Sequence, residues 1–190
     1  MKLLLLCLAV AYVAGQVPLP CVSPRQFEGR FMRFDKERQL QEYAKISYDE
    51  DQRRVREIEE REEGSEREYF DKLFLHNIGL EYRLNLKTRQ CNSTAISRSF
   101  TPFGVPNGAN FSGIGVLGVA GIPNEHVNVE FFEGRYENNP YFIAVTQPGC
   151  FPVQFGYYSQ QTGYDHRTFI DVTLGVPDPN VFIPPKECIG

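Results

Sequence analysis

Leu80-Glu81-Tyr82-Arg83-Leu84-Asn85-Leu86 alternates apolar and polar residues without a fault. A strand turns successive side chains to opposite faces, so Leu80, Tyr82, Leu84 and Leu86 share one dry face and the residues between them a wet one. Val127, Val129 and Phe131, alternating with Asn128 and Glu130, repeat the pattern. Strands with one wet and one dry face suit antiparallel sheets folded over a single core. The two dry stripes are the candidate lining of an apolar pocket. An ordinary filled core would produce the same alternation.

Strand character continues outward from this segment over residues 27–34, 43–48, 69–75, 141–146, 153–158 and 168–174, with Asn77-Ile78-Gly79 as the turn into residues 80–86. The chain is rich in aromatic residues, with 15 Phe and 10 Tyr but no Trp, and 16 Gly and 13 Pro punctuate it. Together these features predict a mainly antiparallel all-β fold. Residues 176–185 hold four prolines, which predicts an extended tail outside any sheet interior. Residues 49–68 are ambiguous. Their Glu and Arg content favours helix by propensity, whereas two edge strands meeting at Gly64-Ser65 would use the same charges to discourage sheet-to-sheet association.

Lys2, the apolar run Leu3–Val13 and the small residues Val13-Ala14-Gly15 read as an export leader over residues 1–15, followed by one domain over 16–190. The apolar run falls short of the roughly 18–20 residues that span a bilayer, so no membrane span is expected. Cys7 leaves with the leader. The remaining cysteines, Cys21, Cys91, Cys150 and Cys188, read as a disulfide frame in an oxidising, extracellular compartment. Loss of Lys2 takes the net charge from −4 to about −5. An acidic chain is a poor partner for nucleic acid, whose binding relies on Lys and Arg. Asn92-Ser93-Thr94 and Asn110-Phe111-Ser112 are acceptors for N-linked glycan, which places Asn92 and Asn110 at the surface.

Catalytic signals fail on context. Gly113-Ile114-Gly115-Val116-Leu117-Gly118 matches the dinucleotide fingerprint, but a sequon precedes it and Val119-Ala120-Gly121-Ile122-Pro123 is hostile to the helix the motif needs. The segment therefore reads as an apolar loop. His76, His126 and His166 stand in no zinc spacing, and no Gly-x-Ser-x-Gly elbow accompanies Asp165-His166. Asp49 and Asp51 begin like a calcium loop, which Arg53 and Arg54 then break. The repeat of Phe27-Glu28-Gly29-Arg30 as Phe132-Glu133-Gly134-Arg135 has unrelated flanks and marks no internal duplication. No catalytic residue, metal ligand or required cofactor is assigned, and the protein is expected not to be an enzyme.

The opening Pro20-Cys21-x-x-Pro24-x-x-Phe27-Glu28-Gly29-Arg30 resembles the mature N-terminus of the ependymin-related proteins. Ser47-Tyr48-Asp49 with Gln52-Arg53, Cys150-Phe151-Pro152-Val153, and Phe169-x-Asp171-x-x-Leu174-Gly175-x-x-Asp178-Pro179-x-x-Phe182-x-Pro184-Pro185-x-x-Cys188 are similar to that family in the same order. The resemblance implies two antiparallel sheets in a curved half-barrel around an apolar pocket, like bacterial lipoprotein carriers. It implies disulfides Cys21–Cys150 and Cys91–Cys188, and it favours the strand reading of residues 49–68. Vertebrate relatives carry a further cysteine near residues 64–68 and another beyond residue 190, a pair without counterparts here. The resemblance further implies a secreted glycoprotein that binds a lipid or other hydrophobic molecule and calcium, with a role in extracellular matrix and cell–matrix adhesion. The alternative is an acidic, calcium- or mineral-associated matrix component in which no pocket matters. The residues do not choose between a monomer and a homodimer.

Overall fold

The structure, a computed structural model, describes residues 17–160 and 163–189. The expected leader and its cleavage site lie outside the described residues. Among the described residues, eleven strands form one continuous antiparallel sheet: β1 (Gln26–Asp35), β2 (Leu40–Asp49), β3 (Arg54–Glu63), β4 (Glu66–Leu75), β5 (Leu80–Asn85), β6 (Cys91–Ala95), β7 (Asn110–Gly118), β8 (His126–Tyr136), β9 (Asn139–Thr146), β10 (Pro152–Ser159) and β11 (Gly163–Leu174). Their order across the sheet is β6-β5-β4-β3-β2-β1-β11-β10-β9-β8-β7. The two sheets expected from the resemblance are thus two wings of one open, curved sheet, joined where β1 pairs with β11. Each wing is a meander, and residues 96–109 carry the chain from one edge of the sheet to the other.

Residues 54–63 and 66–75 are strands meeting at Gly64-Ser65, with Gly64 at a positive φ of 62° that favours glycine. They lie inside the sheet, however, and are not its edges. Their charges are tolerated there because neighbouring strands answer them. Lys72 Nζ lies 2.6 Å from Glu59, Arg67 reaches Glu60 and Glu62, and Arg56 holds Asp71. The glycine-rich segment expected to be a loop contributes the edge strand β7 over Asn110–Gly118. The β8 backbone pairs with it from Asn110 to Gly118, and alternating glycines at 113 and 115 do not prevent a strand that packs few side chains of its own.

Directly opposed residues share a face, so the registers divide the sheet into two surfaces. One carries Phe27, Tyr48, Val55 and Phe74 in a row across β1–β4. Residues 96–109 cross this loop face, packing Phe100 and Phe103 on Phe27, Tyr48 and Phe169, and Val105 on Phe132 and Ile143. The opposite face carries the C-terminal tail. There Val176, Val181 and Phe182 cover Leu73, Leu75 and Tyr82. The tail is irregular apart from short 3-10 turns at Pro179–Phe182 and Lys186–Cys188. One disulfide serves each face: Cys21–Cys150 ties the N-terminal segment down on the loop face, and Cys91–Cys188 fastens the tail. Gly104 has φ 138°, and a Cβ there would lie 2.9 Å from the Cys21 carbonyl, so glycine lets the connection press against the N-terminal segment.

Candidate functional site

The site is built on the loop face, from strand floor to loop cover. Tyr48 is fully buried at its centre, 4.9 Å from Phe27 and 4.9 Å from Phe103 between ring centroids. Phe103 meets Phe169 edge-on at 5.7 Å, and Phe100 stacks on Tyr48 at 5.9 Å. These spacings are those of favourable aromatic pairs. The Tyr48 hydroxyl accepts a hydrogen bond from the Phe103 backbone N–H at 3.3 Å and donates to Glu50 at 3.3 Å, fixing the cover to the floor. Burial pushes the Tyr48 hydroxyl well above its ordinary pKa, so it stays protonated and able to donate.

Among the described residues, an inner and an outer cavity beside this cover share lining. The inner one, about 230 Å³, has Tyr48, Val55, Phe74, Glu57 and Arg167 below and Phe100 and Phe103 above. The outer one, about 620 Å³, is rimmed by Arg25, Arg53, Arg98, His76, Glu50 and Asp51. His76, Arg98, Ser99 and Phe100 border both, so the two meet there. Arg25 is spent on Asp51 at 2.7 Å. The Arg98 guanidinium stacks over the Phe74 ring at 5.0 Å, and the His76 ring meets Phe100 at 5.3 Å. Burial, and then the Arg98 charge, lower the His76 pKa and favour its neutral form. The space therefore combines aromatic walls with the arginines Arg53 and Arg98 at its mouth and Arg167 within, beside the acidic Glu50, Asp51 and Glu57, a lining that can take an amphipathic molecule with an acidic end.

Three carboxylates cluster on the loop face, and Glu57 among them lines the inner cavity. One oxygen each of Glu42, Glu57 and Glu59 falls within 4.8 Å of the others. Burial raises the pKa of Glu57 and of Glu59, the latter helped by the neighbouring Glu42. Calcium prefers six to eight oxygens. Here Lys72 already sits on Glu59 and Arg33 on Glu42 at 3.4 Å, so two of three donors carry a cation of their own. The cluster does not fit calcium.

The expected pocket residues do not line these cavities. Leu80, Tyr82 and Leu84 and, separately, Val127, Val129 and Phe131 belong to the tail face, and Leu86 lies just past the end of β5. Leu84 is buried and Tyr82 packs beneath the tail, Val129 is fully buried, Phe131 lies over Gly115, and Val127 is exposed. β5 and β8 are eight strand steps apart in the sheet order, about 38 Å along it at the usual spacing, so the stripes do not converge. Alternation placed Leu84 and Val129 inward, but it did not show that Val127 would be exposed or what would cover either stripe. The residues that do form the site, Phe100, Phe103 and Arg98 above all, lay in a stretch given no role. Its signal was Phe100-Thr101-Pro102-Phe103-Gly104-Val105-Pro106: two prolines bar a sheet interior, and two phenylalanines need a surface to pack on. Asn92 and Asn110 are both exposed, Asn92 in β6 and Asn110 at the start of β7. Asn92 and Cys91, consecutive in a strand, point to opposite faces, which leaves Asn92 clear of the Cys91–Cys188 bridge.

The fold has a solved counterpart in an uncharacterized conserved protein from Thermus thermophilus, matched at TM-score 0.53 and 8% identity over 85% of this chain and 86% of that one. Closer in sequence is mammalian ependymin-related protein 1 of Mus musculus, 30% identical over 175 residues that span 90% of this chain and 77% of the mouse protein. Ependymin-2 of Carassius auratus is 23% identical over 97% of this chain and 86% of its own length. The Ependymin family model matches residues 64–188, which take in the cavity cover, both sequons and the tail, and the chain belongs to the ependymin family.

Proposed function

We propose that this protein is a secreted, non-catalytic carrier that takes the apolar part of an amphipathic molecule, such as a fatty acid or lipid, into the space between the loop face and residues 96–106. The observation that supports this reading is the junction of an aromatic cavity with a larger cavity whose rim is rich in arginine, the two sharing His76, Arg98 and Phe100. Arg98 would meet the acidic end, and Phe74, Phe100 and Phe103 would surround the chain. Buried, already paired Tyr48 and a neutral His76 position and exclude water rather than attack a bond. Two disulfides, two sequons and the leader fit work outside the cell.

The test is titration of the deglycosylated protein with a fluorescent fatty acid. Saturable binding that weakens about tenfold in Arg98→Ala or Phe100→Ala, roughly the loss of one good contact, is the expected result. Absence of saturable binding at any pH between 5 and 8, alongside calcium-dependent association with matrix, would favour the structural matrix role instead.

A further inference from the structure

An open antiparallel sheet has two edges, each a row of backbone N–H and C=O groups that a second strand can pair with. Here the edges are β6 and β7, and each carries one of the two N-glycosylation sequons. The edges are otherwise unlike. β6 is five residues long and is pinned at its first residue by Cys91–Cys188, and shortness is itself a guard. β7 runs nine residues, about 30 Å at 3.4 Å per residue.

β7 also lacks the charge and the proline that usually defend an edge. No charged residue occurs between Arg98 and Glu125, and β7 itself contains neither lysine nor proline. Ile114 is 69% exposed and Val116 41% exposed. A long, uncharged, apolar edge strand is the feature that nucleates edge-to-edge association. The one irregularity is a bulge between Phe111 and Gly113, which leaves the strand regular from Gly113 onward. Asn110 is exposed at the head of this strand, and Ser112, the third residue of its sequon, is the bulged residue.

We propose that an N-linked glycan on Asn110 is the edge guard of β7. A second strand cannot align along the whole of β7 without entering the volume of a sugar attached at its first residue, and the glycan's hydration replaces the charge that this edge lacks. The glycan on Asn92 shields an edge that is already short, so the two modifications have unequal consequences. The guard acts in the absence of any cavity ligand and does not depend on what the cavity binds.

The experiment is secretion of the full chain from glycosylating cells, with peptide mapping of both sequons and sizing of the secreted protein during incubation at 37 °C. Asn110→Gln and Ser112→Ala should each show a several-fold loss of the parent-size species to high-molecular-weight material, while Asn92→Gln and the sequon-preserving Ser112→Thr behave as the parent. Adding Ile114→Lys to Asn110→Gln should restore the parent-size species, because a charge on the edge substitutes for the sugar. Four results would overturn the proposal: an unmodified Asn110 in the secreted parent, an Asn110→Gln protein that keeps the size distribution of the parent, equal effects at Asn92 and Asn110, or aggregation that Ile114→Lys leaves unchanged, which would assign the defect to folding.

Discussion

The two faces of the sheet are covered in different ways, and the difference separates a container from a clamp. On the tail face, Val181 and Phe182 fill the space above Leu73, Leu75 and Tyr82. Arg56 hydrogen-bonds Asp71 and the Val181 carbonyl, and the Arg54 guanidinium lies 4.3 Å over the Phe182 ring. On the loop face, the cover is a proline-interrupted connection that touches the floor through Phe100, Phe103 and Val105 and leaves cavities beside them. Both covers press on apolar strand residues. Among the described residues, the cavities beside a cover lie against the connection.

If the tail is a clamp, breaking it should cost stability and spare binding. The largest effect is expected from replacing Cys91 and Cys188 together by Ser. Their sequence separation of 97 implies a loss of about 4–5 kcal/mol by loop-closure entropy, readable in denaturant unfolding, with fatty-acid affinity unchanged in protein that is still folded. Phe182→Ala comes next. Phe182 is 4% exposed, and truncating a buried Phe costs about 3–4 kcal/mol, again without a change in affinity. Weakened binding in either variant would erase the distinction between the faces.

On the loop face the pattern should invert. Phe100 is half-buried at the junction of the cavities, so Phe100→Ala should cost about 1–2 kcal/mol of stability while reducing affinity about tenfold. The smallest effect concerns Glu57 beneath the inner cavity. Burial holds its pKa above the ordinary value of 4.5. A raised folded-state pKa contributes stability that is complete below the unfolded value and lost as pH rises through the folded one. The parent should therefore lose stability relative to Glu57→Gln as pH rises above 4.5, measured as the difference between the two unfolding free energies across pH. A parent that instead gains stability relative to Glu57→Gln as pH rises would contradict a raised pKa at this half-buried position.

Local pattern carried much of the fold. Leu80–Leu86 and Val127–Phe131 announced half-buried strands through side-chain period alone, and Gly64-Ser65 marked a hairpin inside a run whose propensity favoured helix. The chemistry at residues 54–75 was misplaced because cross-strand partners decide it. Glu59 is tolerable inside the sheet only because Lys72, on the next strand, reaches it. β7 was hidden because Gly113, Gly115 and Gly118 look like a loop until β8 pairs with them. The site was the least legible part. Nothing in Phe100 or Phe103 says which of two dry faces they will cover, since that depends on the chain crossing from β6 to β7 over one side of the sheet.

The central claim, that the ligand lies on the loop face, is tested most directly by photo-crosslinking a saturating fatty acid that carries a photoreactive group in its chain, followed by peptide mapping. The account predicts labels on peptides containing Phe100 and Phe103 and on those containing Tyr48 or Phe74, competed away by unlabelled fatty acid. Competed labels concentrated instead on Leu80, Tyr82 and Leu84, or on Val127, Val129 and Phe131, would contradict it.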